Sequence, residues 1–278
     1  MLTWVNGELL DESQATVSVF DHGLTVGDGV FETVKVVDGV SFALGRHLAR
    51  LGRSAAGLGL PVPDGVELAK ACEQVAGQGT GPGIHRLRIT YTGGIAPMGS
   101  GRGDSGPTLI IAIAPAAPQP PTTTVSVAPW PRNERGALAG LKTTSYAENV
   151  VALARAAELG ATEALCADTR GRLCEGTGSN VFVVVGGKLI TPTTATGCLA
   201  GVTRGLVVEW CGAAQADVDL SVLETAEEIF LTSTTRDVQA VTAVVWDDGR
   251  RRELAAPGPV TARAAATFAE RAAADPEP

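Results

Sequence analysis

Lys142 sits in Gly140-Leu-Lys-Thr-Thr-Ser-Tyr146, an apolar, hydroxyl-rich stretch just ahead of a helix, and it is one of only four lysines in the chain. A lysine desolvated in such surroundings loses part of its preference for the ammonium form, and the free amine is a nucleophile. A solvated loop lysine in an arginine-biased protein accounts for the same residue without chemistry. Further along, Glu175 opens Glu-Gly-Thr-Gly-Ser-Asn-Val-Phe182, a carboxylate followed by a glycine turn that feeds a hydrophobic strand. Such a carboxylate can hold a protonated ring nitrogen, or it can cap the amides of its own turn.

Two further segments have the makings of anion sites. Gly201-Val-Thr-Arg204 opens an expected helix, where free amides and the helix dipole favour phosphate, and Ser233-Thr234-Thr235 closes a strand with three hydroxyls in succession. Thr203 can instead be an N-cap and the hydroxyl run a plain turn. Arg50, on an expected helix, is the cation that completes a phosphate clamp. A nucleophilic lysine, a carboxylate for a ring nitrogen, and an arginine with helix amides and hydroxyls for a phosphate are together what pyridoxal 5′-phosphate asks of a protein.

The elements that position these residues are legible in part. Leu2 to Val5 and Glu8 to Leu10 flank Asn6-Gly7, and Val30 to Val37 and Val40 to Leu44 flank Asp38-Gly39, so the chain is expected to open with hairpins. Apolar spacing predicts helices over Arg46–Ala56 and Val66–Ala76, and strands follow at His85–Tyr91, where polar and apolar residues alternate, and Thr108–Ala114. Residues 115–121 read PAAPQPP, an extended connector. The expected organisation is therefore a domain over 1–114, a linker over 115–121 and a second domain over 122–278. That second domain carries a strand at Thr123–Val127, helices over Ala147–Leu159, Val202–Cys211 and Val260–Ala273, and strands around Ala164, Val181, Leu189 and Ile229. Asp275-Pro-Glu-Pro278 is expected to fray.

Of the 278 residues, 45% are hydrophobic and 19% charged, and the formal net charge is −8. That balance belongs to a folded protein, and its field repels nucleic-acid backbones and anionic lipid. The amino terminus lacks the basic, then apolar, pattern of a secretory signal, and no apolar run reaches the ~20 residues of a spanning helix. The five cysteines are odd in number and form no CxxC pair, which fits buried free thiols in a soluble, cytoplasmic protein.

Seven segments, in order, resemble the class IV aminotransferases, the fold-type IV enzymes of pyridoxal 5′-phosphate. They are Trp4 to Gly7, Asp21 to Thr33, His47 to Leu51, Leu141 to Asn149, Glu175 to Phe182, Gly201 to Arg204 and Phe230 to Thr235. The resemblance implies an α+β fold with a small α/β sandwich amino-terminal domain and a larger pseudo-barrel carboxy-terminal domain. It implies a homodimer with the cofactor between domains, and a small-molecule amine as substrate. Residue by residue, it implies Lys142 as the Schiff-base lysine and proton shuttle and Glu175 as partner of the pyridine nitrogen. Arg50, Thr203 and Thr234 would hold the phosphate, assisted by the Val202 amide and Ser233.

The family includes D-amino acid aminotransferases, branched-chain aminotransferases and 4-amino-4-deoxychorismate lyases, which differ on the substrate side. Where the D-amino acid enzymes carry a tyrosine and an Arg-x-His loop, this chain has Phe31, and Met98 with Ser100. Where branched-chain enzymes usually carry a tyrosine after the lysine, it has Ala147. The lyases share Gly27-Asp28-Gly29 and a loop like Gly99-Ser-Gly-Arg-Gly103, which makes Arg102 the candidate for a substrate carboxylate. Phe31, Met98 and Arg102 are thus the expected substrate-facing residues. The expected activity is a lyase releasing pyruvate and 4-aminobenzoate, with transamination of D- or branched-chain amino acids as the alternative.

Overall fold

The computed structural model describes residues 2–79 and 81–278. The fold is α+β, and the chain divides into two compact units. Unit 1 comprises Met1–Pro118, Leu141–Tyr146 and Asp275–Pro278, and unit 2 comprises Gln119–Gly140 and Ala147–Ala274.

In unit 1, β1 (Leu2–Val5) and β2 (Glu8–Asp11) form a hairpin through Asn6-Gly7, whose backbones both take positive φ. The one-turn helix α1 (His22–Thr25) leads into β3 (Gly29–Val37) and β4 (Val40–Ser41), followed by the helices α2 (Leu44–Leu58) and α3 (Gly65–Gly79). The strands β5 (Ile84–Thr92) and β6 (Thr108–Pro115) complete a six-stranded sheet in the order β2-β1-β6-β5-β3-β4. Val30, Val34 and Val36 of β3 and Leu87 and Ile89 of β5 point to one face, where they meet Leu51 and Ala55 of α2 and Cys72 and Val75 of α3. Strand alternation puts Glu32 on that same buried face, between two valines. The opposite face carries Phe31, Thr33 and Arg88. Thr33 is the register partner of Arg88 and Phe31 that of Thr90, so Phe31 and Arg88 are diagonal neighbours.

Two local expectations fail in unit 1. The strand expected over Val40–Leu44 stops at Ser41, because Ala43 turns left-handed at φ 54° and α2 begins at Leu44. The carboxy-terminal residues expected to fray are instead bound. Glu277 accepts from the Leu44 and Gly45 amides at 2.8 and 2.6 Å, Pro276 accepts from Ala43 N, and Arg46 Nε donates to Pro278 O. Glu277 thus supplies the helix cap that Ala43 has no side chain to make. Glu277→Ala is expected to lower stability by about 1 kcal/mol, read as an earlier urea midpoint at unchanged slope.

The expected second domain over 122–278 is not one continuous piece. Residues 141–146 run beside β3: Phe31 N donates to Lys142 O at 3.0 Å, Thr144 N donates to Gly29 O at 2.8 Å, and Val30 bridges Thr143. A segment whose backbone is paired to a strand belongs to that strand's unit.

Unit 2 opens with β7 (Thr122–Val127), α4 (Ala147–Glu158), β8 (Glu163–Ala167), β9 (Leu173–Gly176), β10 (Asn180–Val185) and β11 (Lys188–Thr191). It continues through α5 (Val202–Cys211), β12 (Ala214–Gln215), β13 (Glu228–Ser233), β14 (Asp237–Val245), β15 (Arg251–Glu253) and α6 (Pro259–Ala274). The curled nine-stranded sheet runs β12-β11-β10-β13-β14-β7-β8-β9, with β15 added beside β14. Val181, Val183, Leu231, Val241 and Val244 fill one face. On the other face the register partners Phe182 and Phe230 stack with centroids 4.8 Å apart. Among the described residues no helix is long and apolar enough to cross a membrane.

Candidate active site

Pairing of residues 141–146 along β3 brings Lys142 against the polar face of the unit 1 sheet. Lys142 Nζ lies 4.2 Å from the centroid of the Phe31 ring and donates to Tyr146 Oη at 3.4 Å. Tyr146 meets Phe31 edge to face at 5.0 Å. The Arg88 guanidinium carbon lies 3.3 Å from the same Phe31 centroid, and no described residue accepts a hydrogen bond from it. Burial pushes the Arg88 pKa down to about 10, against the pull of Tyr146 and Glu32. Arg88 therefore remains a cation at neutral pH, half-buried on the ring that also carries Lys142, where an incoming anion would meet it partly desolvated.

Beneath β3, the buried Glu32 is satisfied by α2, whose 3.6-residue period puts His47 and Arg50 on one face. Arg50 donates from Nε and Nη2 to the two Glu32 oxygens, both at 2.7 Å, and His47 Nδ1 lies 2.7 Å from Glu32 Oε2. Burial alone would raise the Glu32 pKa. The charge and hydrogen bonds of Arg50, with the bond from His47, overcome that and hold it at about 2. Burial also pushes the His47 imidazole toward its neutral form. One turn along α2, Ser54 Oγ accepts from Lys142 N at 3.1 Å, so the helix that fixes Arg50 also fixes the lysine backbone.

Of the three expected substrate-facing residues, Phe31 is in the Lys142 cluster. Met98 is 81% exposed. Arg102 is a fixed brace: Nε and Nη2 bind Asp28 at 2.7 and 2.6 Å, and Nη1 and Nη2 donate to Gly59 O and Leu58 O, the closing carbonyls of α2. Arginine at a helix carboxy terminus satisfies carbonyls that the helix cannot. Asp28 answers in kind, its carboxyl held below the usual range chiefly by the Arg102 hydrogen bonds. A substrate carboxylate arriving at Arg102 would compete with Asp28 for its guanidinium.

In unit 2, Glu175 is buried on β9. Its Oε2 accepts from Leu199 N at 2.9 Å and Asn180 Nδ2 at 3.4 Å, and Arg132 Nε stands 3.5 Å from Oε1, an ion pair without hydrogen-bond geometry. The turn after it is fixed by the buried Glu163, which accepts from Thr177 N and Ser179 Oγ. Asn180 then joins the other two segments. A Cβ on Gly201 would fall 2.0 Å from Asn180 Oδ1, so only glycine fits at the start of α5, and Asn180 is the register partner of Thr232, one residue before Ser233. The cap of α5 is Gly201, with no side-chain bond, which leaves the Val202 and Thr203 amides to the first turn. Thr203 is buried inside the helix and is not its cap. Ser233 and Thr234 lie half-buried at the β13–β14 turn, and Ser233 Oγ accepts from Arg236 N.

The structure thus gathers Lys142 with Phe31, and Glu175 with the Gly201 and Thr232–Thr234 segments. It adds residues the sequence analysis did not single out: Arg88, Tyr146, Glu32, His47, Asn180 and Arg132. The alternation of His85–Tyr91 signals a strand with a polar face, but nothing in that pattern separates Arg88 from a solvated arginine.

A family model for amino-transferase class IV matches residues 29–244. A Methanocaldococcus jannaschii protein, provisionally named a branched-chain-amino-acid aminotransferase, is 34% identical over 90% of this chain and 89% of its own length. D-alanine aminotransferase of Bacillus licheniformis is 30% identical over 92% of each. The branched-chain aminotransferase of Thermoproteus uzoniensis superposes with a TM-score of 0.89 at 28% identity, covering 97% of this chain and 94% of that one. A Legionella pneumophila protein, provisionally named a 4-amino-4-deoxychorismate lyase, shares the fold with a TM-score of 0.85, but at 22% identity.

Proposed function

The chain belongs to the class IV aminotransferase family, and from that premise we propose that it moves an amino group from an amino acid to a 2-oxo acid. The cofactor of the family is pyridoxal 5′-phosphate. Bound, it supplies an aldehyde for amines and an electron sink for a carbanion at the amine-bearing carbon. The residues fit the group. A primary amine stands at Lys142 and a fixed carboxylate at Glu175. The start of α5 keeps two first-turn amides under a glycine that leaves no room for a Cβ, and the Asn180 that crowds this glycine is the register partner of Thr232, just before Ser233 and Thr234.

In this reading Lys142 Nζ would hold the aldehyde end of the cofactor and would carry a proton at the amine-bearing carbon of the substrate. Glu175 would hold the ring nitrogen and favour its protonated form. Thr203, Thr234 and Ser233 with the Val202 amide would hold the phosphate, and Arg50, aimed by Glu32, would supply its cationic partner. Arg88 receives the carboxylate of the amino acid or oxo acid. The observation that carries the proposal is that half-buried guanidinium on the ring beside Lys142. Phe31 closes the site with an apolar wall, suited to a donor with an uncharged side chain.

The lyase expectation gives way to its alternative because the Methanocaldococcus jannaschii and Bacillus licheniformis relatives, at 34% and 30% identity, bear aminotransferase names. The test is an assay of D-alanine and of branched-chain amino acids as donors to 2-oxo acids. Transfer from either supports the proposal, whereas 4-aminobenzoate release from aminodeoxychorismate without an oxo-acid acceptor contradicts it. Arg88→Gln is expected to lower kcat/KM for the amino donor by about 10–100-fold, the effect of losing hydrogen bonds to a charged group, mainly through KM. The proposal includes a homodimer and a cytoplasmic location. Val19, Phe20 and Leu24 are each exposed on unit 1 and are offered to a second copy, and all five cysteines are free.

A further inference from the structure

Three of the five thiols, Cys166, Cys174 and Cys198, pack together in unit 2. Cys166 lies on β8 opposite Glu175 of β9, and the register slips between Cys166 and Ala167, which leaves Cys174 as the extra residue of a bulge. A bulge re-aims the side chain it inserts, and here Cys174 packs in one cluster with Cys166 while its own Sγ–H donates to Thr196 O at 3.1 Å. Cys166 also lines a cavity of about 390 Å³ with Arg132, Trp130, Val151, Ala152 and Thr177. A thiol backed by a second thiol, facing a chamber that holds a guanidinium, has the parts of a two-step oxidation: a sulfur to be attacked, a sulfur to resolve it, and a route in for a small oxidant.

We propose that Cys166 and Cys174 form a reversible redox pair, with Cys166 oxidised by a small hydroperoxide through the cavity and Cys174 resolving it to a disulfide. The Cys166 thiolate attacks the near peroxide oxygen. The S–O bond forms as the O–O bond breaks, and the far oxygen leaves with the electron pair and takes a proton from water. Sulfur is oxidised to the sulfenic acid and the peroxide is reduced to an alcohol or water. Cys174 Sγ then bonds to Cys166 Sγ, and the sulfenic oxygen leaves as water with the Cys174 proton. Two thiols and one hydroperoxide thus give a disulfide, an alcohol and water, and a small dithiol reverses the change.

The other cysteines are poorer targets. Burial in the core of unit 1 pushes Cys72 up to about 12, and burial likewise pushes Cys198 up to about 11, whereas the neighbouring Cys174 thiol and the Arg132 charge lower Cys166. The change reaches the candidate active site directly. Cys166 Sγ–H donates to the Glu175 carbonyl oxygen at 3.2 Å, a bond that oxidation removes from the residue assigned to the cofactor nitrogen.

The experiment exposes the cofactor-loaded protein to stoichiometric hydrogen peroxide, alkylates free thiols and maps the peptides without reduction. The expected result is a Cys166–Cys174 linked peptide, the loss of two titratable thiols, and full recovery with dithiothreitol. In Cys174→Ser the reaction is expected to stop at a Cys166 sulfenic acid that dimedone traps. The wild-type map stands alone if that variant does not fold. Alkylation of both residues as in untreated protein, or oxidation confined to Cys211, overturns the proposal.

Discussion

Lys142→Ala is expected to abolish turnover, with a loss of at least about 10²–10⁴-fold for the proton transfer alone, while the fold stays intact. The backbone at this position does the structural work: its carbonyl accepts from Phe31 N at 3.0 Å and its N–H donates to Ser54 Oγ at 3.1 Å. Alanine keeps both bonds. The side chain adds a long contact to Tyr146 and a place over the Phe31 ring, so stability is expected to change by less than about 1 kcal/mol. Lys142→Arg keeps the charge but not a nucleophilic amine, and it is expected to be as inactive as the alanine variant. Steady-state rates with a donor and a 2-oxo acid, beside a urea titration, separate chemistry from folding. A variant that unfolds at the wild-type midpoint and still turns over at the wild-type rate removes Lys142 from the mechanism.

The largest effect on stability is expected at Glu32. Its carboxylate is fully buried and answers two partners on α2, so Glu32→Gln leaves the Arg50 guanidinium charged in the interior without its counter-ion. Breaking a buried pair from one side costs about 3–5 kcal/mol. The pH dependence has a definite sign. Arg50 and His47 depress Glu32 from its ordinary 4.5 to about 2, so this stabilisation is complete above about pH 4.5 and is lost as the pH falls toward 2. Urea midpoints across that window are expected to fall steeply in the wild type and more gently in the variant. Parallel acid limbs would mean that Glu32 is not ionised in the native state.

Much of the fold was legible because it rests on local rules. Asn6-Gly7 and Asp38-Gly39 demanded hairpins, and the spacing of Leu48, Leu51 and Ala55 demanded a helix. What the sequence concealed depends on partners distant along the chain. Asp275–Pro278 looks like a solvated tail until Glu277 meets the first turn of α2. The return of residues 141–146 to β3 is a backbone pairing, to which side-chain types contribute little.

The candidate site divides along the same line. Lys142 and Glu175 stand out by type and setting, but Arg88 is set apart only by its place over the Phe31 ring beside Lys142. Arg102, in a glycine-rich loop, has the look of a substrate anchor, and its actual partners are Asp28 and two carbonyls at the end of α2. Glu32 inside a run of strand valines is the opposite case. A carboxylate on the core face of a strand requires cations beneath it, and the alternation of the strand is enough to reveal that requirement.

The most direct measurement reduces the cofactor-loaded protein with borohydride and maps the peptide that retains the cofactor. The added mass is expected within residues 141–146, on Lys142. Recovery of that mass on Lys35, Lys70 or Lys188, or of unlabelled protein after full reduction, would contradict it.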